Sequence, residues 1–154
     1  RVNFRKTRLP GSDRFGLSGT SGWPTKLSLS TVVTIDSNIL IAYFNADREL
    51  RTVLNKWKAT SQPLLVSTIS IAEVLSFTNL TTHDIKRIEV FLEQHFLNVH
   101  VDSVIAREAG RIRRRYGLKL PDAIIAATAL VTRTPLVTRD DDFAKVNELE
   151  LIVP

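Results

Sequence analysis

The sequence predicts an α/β fold of three layers, α/β/α, in which helices cover both faces of a short central parallel sheet of about five strands. One observation predicts this fold class, and the chain length predicts a single domain with its own core. Short runs rich in Val, Ile and Leu alternate along the chain with longer segments of helical period. A chain of 154 residues is also long enough to bury a core without disulfide or metal crosslinks. We therefore expect one domain with right-handed crossovers between its strands.

The first half of the chain predicts two strands and four helices. Thr31–Asp36 is a β-rich apolar run that ends in a carboxylate, and two helical segments follow it. Pro63–Ser67 is a second short apolar run, after which Ser67 or Thr68 can cap a helix. Apolar residues at helical spacing then predict one more helix. The four helices are predicted over Ser37–Phe44, Asp47–Ala59, Thr68–Phe77 and His83–Phe96.

The second half predicts three further strands and three helices. Apolar residues recur at helical spacing from Ile105 to Tyr116, so this helix is amphipathic, and Gly117 ends it. The next helix has Pro121 in its first turn. The strands are predicted over Leu97–Val101, Pro135–Thr138 and Leu149–Val153. The helices are predicted over Ser103–Tyr116, Pro121–Thr132 and Asp141–Asn147.

The positive charge of the chain is concentrated in its first 30 residues. These hold six basic side chains against Asp13, which accounts for the whole formal net charge of +5. They also hold four of the six glycines and show no hydrophobic period. We predict a disordered or non-native basic extension over residues 1–30 and a folded domain over residues 31–154. Because that domain is neutral, the high pI does not itself indicate nucleic-acid binding.

Composition excludes several classes of site. The chain has no cysteine, which excludes disulfides, zinc–thiolate sites and cysteine nucleophiles. Its three histidines lack the HxxxH spacing of zincin-type metalloproteases. No apolar run approaches the roughly 18 residues of a membrane span, so we expect no membrane association. The absence of cysteine is compatible with a reducing compartment, and we expect the protein to be cytoplasmic.

Four acidic residues lie at the ends of predicted strands or within apolar helices. Asp36 ends the first predicted strand and Asp140 follows the fourth, so parallel strands would bring them to one edge of the sheet. Asp122 begins an apolar helix, and Glu73 is the one charge in another. Each has an ordinary structural alternative. Asp36 and Asp140 can be helix caps, Asp122 can complement a helix dipole, and Glu73 can pair with an arginine.

Taken together, the four acids favour a metal site. Clustered carboxylates repel one another unless divalent cations hold them. An all-oxygen set without cysteine or paired histidine is typical of Mg²⁺ or Mn²⁺.

Four segments carry a resemblance to a known family, which spans Val33 to about Val153. They are Ile35-Asp-Ser-Asn-Ile-Leu40, Ser70-Ile-Ala-Glu-Val-Leu75, Leu120-Pro-Asp-Ala-Ile-Ile-Ala-Ala-Thr-Ala129 and Leu136-Val-Thr-Arg-Asp-Asp-Asp-Phe143. In their order and spacing the sequence resembles the PIN-domain nucleases, and specifically the VapC-type toxins of bacterial toxin–antitoxin pairs. The extension over residues 1–30 departs from the pattern of that family.

The resemblance implies a metal-dependent endoribonuclease that cleaves single-stranded or loop RNA with a metal-activated water. It implies catalytic and metal-binding roles for Asp36, Glu73, Asp122 and Asp140, and an accessory metal-binding role for Asp142. Ser37 and Asn38 match a polar pair beside the first acid, which would hold a metal-bound water or an RNA phosphate. The resemblance also implies a homodimer and a cognate antitoxin.

Basic residues near these acids are candidates for RNA binding. The polar side of the amphipathic helix holds several arginines, and others adjoin the acids. The candidates are Arg107, Arg111, Arg114, Arg115, Lys119 and Arg139. The structural alternative is a solvated helix face whose last-turn arginines complement the helix dipole. Single-strand or loop recognition is favoured because no base-reading helix motif is visible.

Apolar residues of the first two helices are candidates for a groove that accepts an antitoxin helix, although an ordinary core is the alternative. They are Ile39, Leu40, Tyr43, Phe44, Leu54 and Trp57. Two other functions stay open. One is a catalytically silent PIN-like module that binds RNA or protein, which the presence of all four acids disfavours. The other is a phosphoryl-transfer enzyme, disfavoured because GxxxxGK[ST] and DxDxT motifs are absent.

Overall fold

The computed structural model describes residues 32–59 and 62–154. The extension predicted over residues 1–30 lies outside the described residues, as does Thr31, so that prediction stays a prediction.

The described residues form five strands, six α-helices and one 3-10 helix. The strands are β1 (Val33–Ile35), β2 (Leu64–Ser67), β3 (Phe96–Val99), β4 (Leu136–Val137) and β5 (Leu151–Ile152). The α-helices are α1 (Ser37–Phe44), α2 (Arg48–Lys58), α3 (Thr68–Leu75), α4 (Thr82–His95), α5 (Ser103–Tyr116) and α6 (Leu120–Thr132). The 3-10 helix is Asp141–Lys145. In the part of the chain that is described, no helix is long and apolar enough to cross a membrane.

All five strands pair in parallel, in the order β3-β2-β1-β4-β5. The central strand β1 pairs with β2 on one side and with β4 on the other. Strand order therefore reverses at β1, and ligands of open α/β sheets bind outside the carboxyl ends of the strands at such a switch point. The predicted three-layer fold with a parallel sheet of about five strands is confirmed.

Two hydrophobic cores lie on opposite faces of the sheet. Residues of α1, α2, α3 and α4 pack against one face, and α5 and α6 pack against the other. Neighbouring strand residues alternate between the two: Val137 belongs to the first core and Leu136 to the second. The small residues Ala126 and Ala129 of α6 are completely buried, which allows the close helix packing that the sequence predicts.

Several elements differ in length from the prediction, for local reasons. Helix α4 begins at Thr82 because Thr81 caps it in a capping box with Asp84. Strand β3 runs from Phe96 to Val99 and stops short of Val101, because its pairing with β2 ends where Ser67 faces Val99. The last strand is shortened because the Leu149 amide turns back to donate to the carbonyl of Val146. The predicted helix after Asp140 is a 3-10 helix that ends at Lys145.

The α5–α6 turn depends on one glycine. Gly117 follows α5 with a φ of 72°, in the left-handed region where a side chain is disfavoured. The turn leads directly into Lys119 and Asp122, so its geometry fixes where α6 begins.

We expect opposite effects from alanine at the two glycines of this region. Gly117→Ala should lower the free energy of unfolding by about 1 kcal/mol, because alanine must adopt the left-handed conformation. Gly110→Ala should raise it by about 0.5–1 kcal/mol, because Gly110 lies inside α5. A β-carbon there would meet only Arg114 Nη1, at an ordinary 3.5 Å. Urea unfolding measures both, and shifts in the same direction would contradict this account of the turn.

Candidate metal and nuclease site

Asp36 lies at the carboxyl end of the central strand and is 3% exposed. Its Oδ2 accepts a hydrogen bond from Thr138 Oγ1 at 2.7 Å, and its Oδ1 accepts one from Ser37 Oγ at 3.3 Å. The residue occupies the N-cap position of α1, but its side chain makes no capping hydrogen bond. The capping alternative therefore does not explain this buried carboxylate.

Thr138 connects three parts of the site and was not among the residues predicted for it. Its hydroxyl donates to Asp36 and accepts hydrogen bonds from Asn38 Nδ2 at 3.1 Å and from the Asp140 amide at 3.0 Å. Because its single proton goes to Asp36, the threonine must accept from both other groups. Its position at the carboxyl end of β4, beside β1, is the signal that could have identified it.

Burial governs the electrostatics of Asp36. Desolvation raises the pKa of Asp36 from its ordinary 3.8 to about 6, against the hydrogen bonds from Thr138 and Ser37. The negative charge of Glu73 raises it further. Glu73, which α3 carries, is therefore an electrostatic neighbour of Asp36.

Glu73 has no cation to neutralise it among the described residues. Burial raises the pKa of Glu73, as does the charge of Asp122, while a hydrogen bond from Ser37 opposes the rise. Ser37 has one hydroxyl proton, so it can serve either Asp36 or Glu73 at a time. The Oε2 of Glu73 is buried without a hydrogen-bond partner. Within residues 32–59 and 62–154, Glu73 forms no ion pair with an arginine, so that alternative is not found there.

Asp122 completes the series from the first turn of α6. Burial raises the pKa of Asp122, and the negative charges of Asp140 and Asp142 raise it too, whereas Lys119 opposes them. The four predicted acids thus form a series of electrostatic neighbours: Glu73 raises the pKa of Asp36, Asp122 raises that of Glu73, and Asp140 raises that of Asp122. They come from four different segments of the fold.

Asp140 and Asp142 have local partners as well. Asp140 caps the 3-10 helix, since its Oδ1 accepts a hydrogen bond from the Asp142 amide at 2.9 Å. The structural alternative for Asp140 is therefore present alongside its place in the cluster. A hydrogen bond from Lys145 lowers the pKa of Asp142. Asp142 thus differs from Asp36, Glu73 and Asp122, whose pKa values burial raises.

The chemistry of this donor set fits a hard divalent cation. Every candidate ligand is an oxygen, and one buried carboxylate oxygen, Glu73 Oε2, has no partner. Over residues 32–59 and 62–154, however, no group of three or more Asp, Glu or His side chains is arranged so that it could already hold a metal ion. The carboxylates are neighbours, but they are not closed into a coordination shell.

Three of the arginines proposed for RNA binding are held by acids of the protein itself. Arg139 pairs with Asp47 at 2.9 Å and Glu49 at 3.1 Å, and it also donates to the Pro154 carbonyl. Arg139 therefore anchors α2, and its role in RNA binding stays a prediction. Its planar guanidinium suits this bridging position.

Arg111 and Arg115 share Glu148, which precedes β5. Arg111 pairs with Glu108 at 2.6 Å and with Glu148 at 3.3 Å, and Arg115 pairs with Glu148 at 3.3 Å. Tyr116 also donates to Glu148. Arg107, Arg111 and Arg114 line an open groove of about 500 Å³ between α5 and α6. Arg111 therefore both pairs with acids of the protein and lines this surface, whereas Arg115 is not among the groove residues.

The residues predicted to form an open groove for an antitoxin helix are buried in the hydrophobic core. All six apolar residues proposed for it are buried in the first core, because α1 and α2 turn their apolar sides toward the sheet. They are Ile39, Leu40, Tyr43, Phe44, Leu54 and Trp57, none more than 7% exposed. The prediction of an open groove at these residues was wrong, and the alternative of an ordinary core is correct.

Comparison with known proteins bears on the identity of this site. No curated protein matches the chain. The family profile described as PIN domain matches residues 33–149.

Solved structures also resemble the chain. A chain in a toxin–antitoxin complex from Klebsiella pneumoniae is 34% identical, with a TM-score of 0.65, and the match covers 76% of this chain and 94% of that one. VapBC2 from Rickettsia felis, bound to a promoter DNA fragment, is 18% identical with a TM-score of 0.69, and the match covers 79% of this chain and 98% of that one. VapBC-1 from nontypeable Haemophilus influenzae is 21% identical with a TM-score of 0.65, and the match covers 78% of this chain and 96% of that one. At their lower identities, the two VapBC structures share the fold.

The raised pKa of Asp36 predicts a pH-dependent stability in the metal-free protein. Because its folded-state pKa is about 6 and its ordinary value is 3.8, ionisation of Asp36 opposes folding as the pH rises through this window. Relative to wild type, Asp36→Asn should therefore gain about 3 kcal/mol of stability between pH 4 and pH 8. Urea unfolding in the presence of chelator measures the difference at each pH. A difference that shrinks as the pH rises would contradict the burial argument.

Proposed function

The chain belongs to the PIN domain family, and we propose that it is a metal-dependent endoribonuclease that cleaves single-stranded or loop RNA and acts as the toxin of a toxin–antitoxin pair. The observation that carries the proposal is the electrostatic coupling of Asp36, Glu73, Asp122 and Asp140 at the switch point of the sheet. Carboxylates from separate segments, gathered where α/β folds bind ligands, are typical of a catalytic metal site.

We propose that Asp36, Asp122 and Asp140 hold Mg²⁺ or Mn²⁺, with Glu73 and Asp142 as further ligands. When bound, such an ion favours the ionisation of water near neutral pH and neutralises negative charge on a phosphodiester. The buried, unpartnered Oε2 of Glu73 supports a site that needs a positive charge.

The side chains of this protein have separate roles in the proposed reaction. Thr138 fixes one oxygen of Asp36 and the backbone of Asp140, so both acids keep one relative position. Glu73 has a raised pKa and a free carboxylate oxygen, so its Oε2 can accept the proton of an attacking water. Ser37, beside both acids, can direct its hydroxyl to either one.

RNA must reach this acidic site, and we propose that basic residues at its approaches attract it. Lys119 begins the turn of α6 that carries Asp122. Arg107 and Arg114 line the groove beside Leu130 and Val131, at the end of α6 away from Asp122, so they would contact RNA that extends beyond the acidic site. Their charge would draw in the RNA backbone without selecting its sequence. Arg111 and Arg115 would add to this surface only to the extent that Glu148 leaves their charge unpaired.

The proposal includes a protein partner. The 34% identical relative from Klebsiella pneumoniae is part of a toxin–antitoxin complex, which supports a cognate antitoxin for this chain. We propose that the two proteins act in the cytoplasm. A homodimer stays an expectation of the family resemblance.

Asp122→Asn should abolish RNA cleavage, with a loss of at least about 100-fold, because it removes a proposed metal ligand and its charge. Full-length protein, purified free of partners, would be incubated with end-labelled RNA and Mg²⁺ or Mn²⁺. EDTA should stop cleavage by the wild type. The matched control is Asp141→Asn, which removes an exposed acid of the same run and should retain activity.

Two other outcomes would count against the proposal. If folded, metal-supplied wild type leaves RNA intact, as Asp122→Asn does, the chain is better described as a silent binding module. If cleavage persists in EDTA, the metal-dependent mechanism is wrong.

A further inference from the structure

Lys145 brings an ammonium group to the acidic cluster, and nothing in the sequence analysis pointed to it. The residue ends the 3-10 helix that Asp140 caps. Its Nζ donates to Asp142 Oδ1 at 2.5 Å, while 56% of its side chain is exposed to solvent. Lys145 is therefore a solvent-accessible cation beside two of the acids.

Lys119 occupies a comparable position in the neighbouring segment. It is the exposed N-cap residue of α6, three positions before Asp122. Its positive charge lowers the pKa of Asp122, which burial raises. It also lowers the pKa of Asp142, as the hydrogen bond from Lys145 does. Asp142 is contacted directly by Lys145, and Lys119 lies at the start of the segment that carries Asp122. Within the described residues, Lys119 itself forms no ion pair.

The arginines near the site differ from these lysines in one respect. Arg139 and Arg111 are each held by two carboxylates that lie outside the acidic quartet. Bidentate or bridging arginine pairs of this kind are fixed in place. The two lysines are compact charges on flexible chains, which suits them to bind a phosphate that arrives from solvent.

We propose that Lys145 and Lys119 form a phosphate clamp, in which each lysine binds an RNA phosphate next to the scissile one. Lys145 would exchange Asp142 for the incoming phosphate, so in the metal-free protein Asp142, the accessory acid of the proposed metal site, is also a positioning residue that holds Lys145 at the edge of the cluster. The inference rests on the proposed ribonuclease function and adds how a polyanion is held against an acidic site. It places substrate contacts on both segments that carry the acids, the start of α6 and the 3-10 helix.

The test measures binding, so that it does not depend on turnover. Full-length Asp122→Asn protein, which should not cleave RNA, would be titrated against a fluorescein-labelled single-stranded RNA in metal-free buffer, by anisotropy, over a range of NaCl concentrations. Lys145→Gln and Lys119→Gln would each be added to this background. Each should make the negative slope of log affinity against log salt concentration shallower by about 0.7. Each should also weaken binding about fivefold near 0.1 M salt.

The matched control is Lys86→Gln in the same background. Lys86 is an exposed lysine of α4, which packs beside β3 at the opposite edge of the sheet, so the same loss of charge should leave the slope unchanged. Circular dichroism would confirm that all variants are folded. If Lys145→Gln and Lys119→Gln change the slope no more than Lys86→Gln does, the clamp is wrong.

Asp142→Asn tests the positioning role. When Lys145 is present, the substitution should weaken RNA binding, because Asp142 acts through that lysine. In the Lys145→Gln background it should have no effect. An equal effect in both backgrounds would show general repulsion and overturn the positioning role. Cleavage assays on the wild type distinguish failure of the clamp from failure of the proposed ribonuclease function. Active wild type with ineffective lysine variants overturns the clamp alone, whereas wild type that neither binds nor cleaves RNA overturns the clamp and the proposed function together.

Discussion

The site depends on the parallel pairing of β1 with β4. The register sets Ile35 against Val137, and the Asp36 amide donates to the Val137 carbonyl at 3.1 Å. Asp36 and Thr138 therefore leave the sheet side by side, close enough for a hydrogen bond of 2.7 Å. Thr138 in turn fixes the Asp140 backbone. Two acids that are separated by about a hundred residues of chain become neighbours through one strand pair.

Charge is distributed unevenly around this centre. Burial raises the pKa values of Asp36, Glu73 and Asp122, and in the described residues no ion pair neutralises any of the three. The arginines Arg111 and Arg139 are bound to other carboxylates, which anchor α5 and α2. Such a site opposes folding in the absence of a cation, and local costs of this kind are typical of functional sites.

Local patterns were enough to predict the type and order of the elements, because apolar runs and helical spacing are visible in the sequence without knowledge of tertiary contacts, although several bounds shifted in the structure. The acids were also identifiable, since Glu73 and Asp122 stand alone in apolar helices. Thr138 was not, because a neutral hydroxyl gains its role only when β4 pairs with β1. The partners of Arg139 lie about 90 residues away on α2, which no local pattern reveals. Helical spacing likewise cannot tell an open groove from a core, as Leu54 and Trp57 show.

The central claim is that the acids at the switch point form one cation site. Mn²⁺ binding to the full-length protein, followed by the loss of the free-ion electron paramagnetic resonance signal, tests it most directly. The account predicts that wild type binds Mn²⁺ and that Asp36→Asn and Glu73→Gln each weaken binding severalfold, while Asp141→Asn does not. Mn²⁺ affinity that is absent in wild type, or equal in all four proteins, would contradict it.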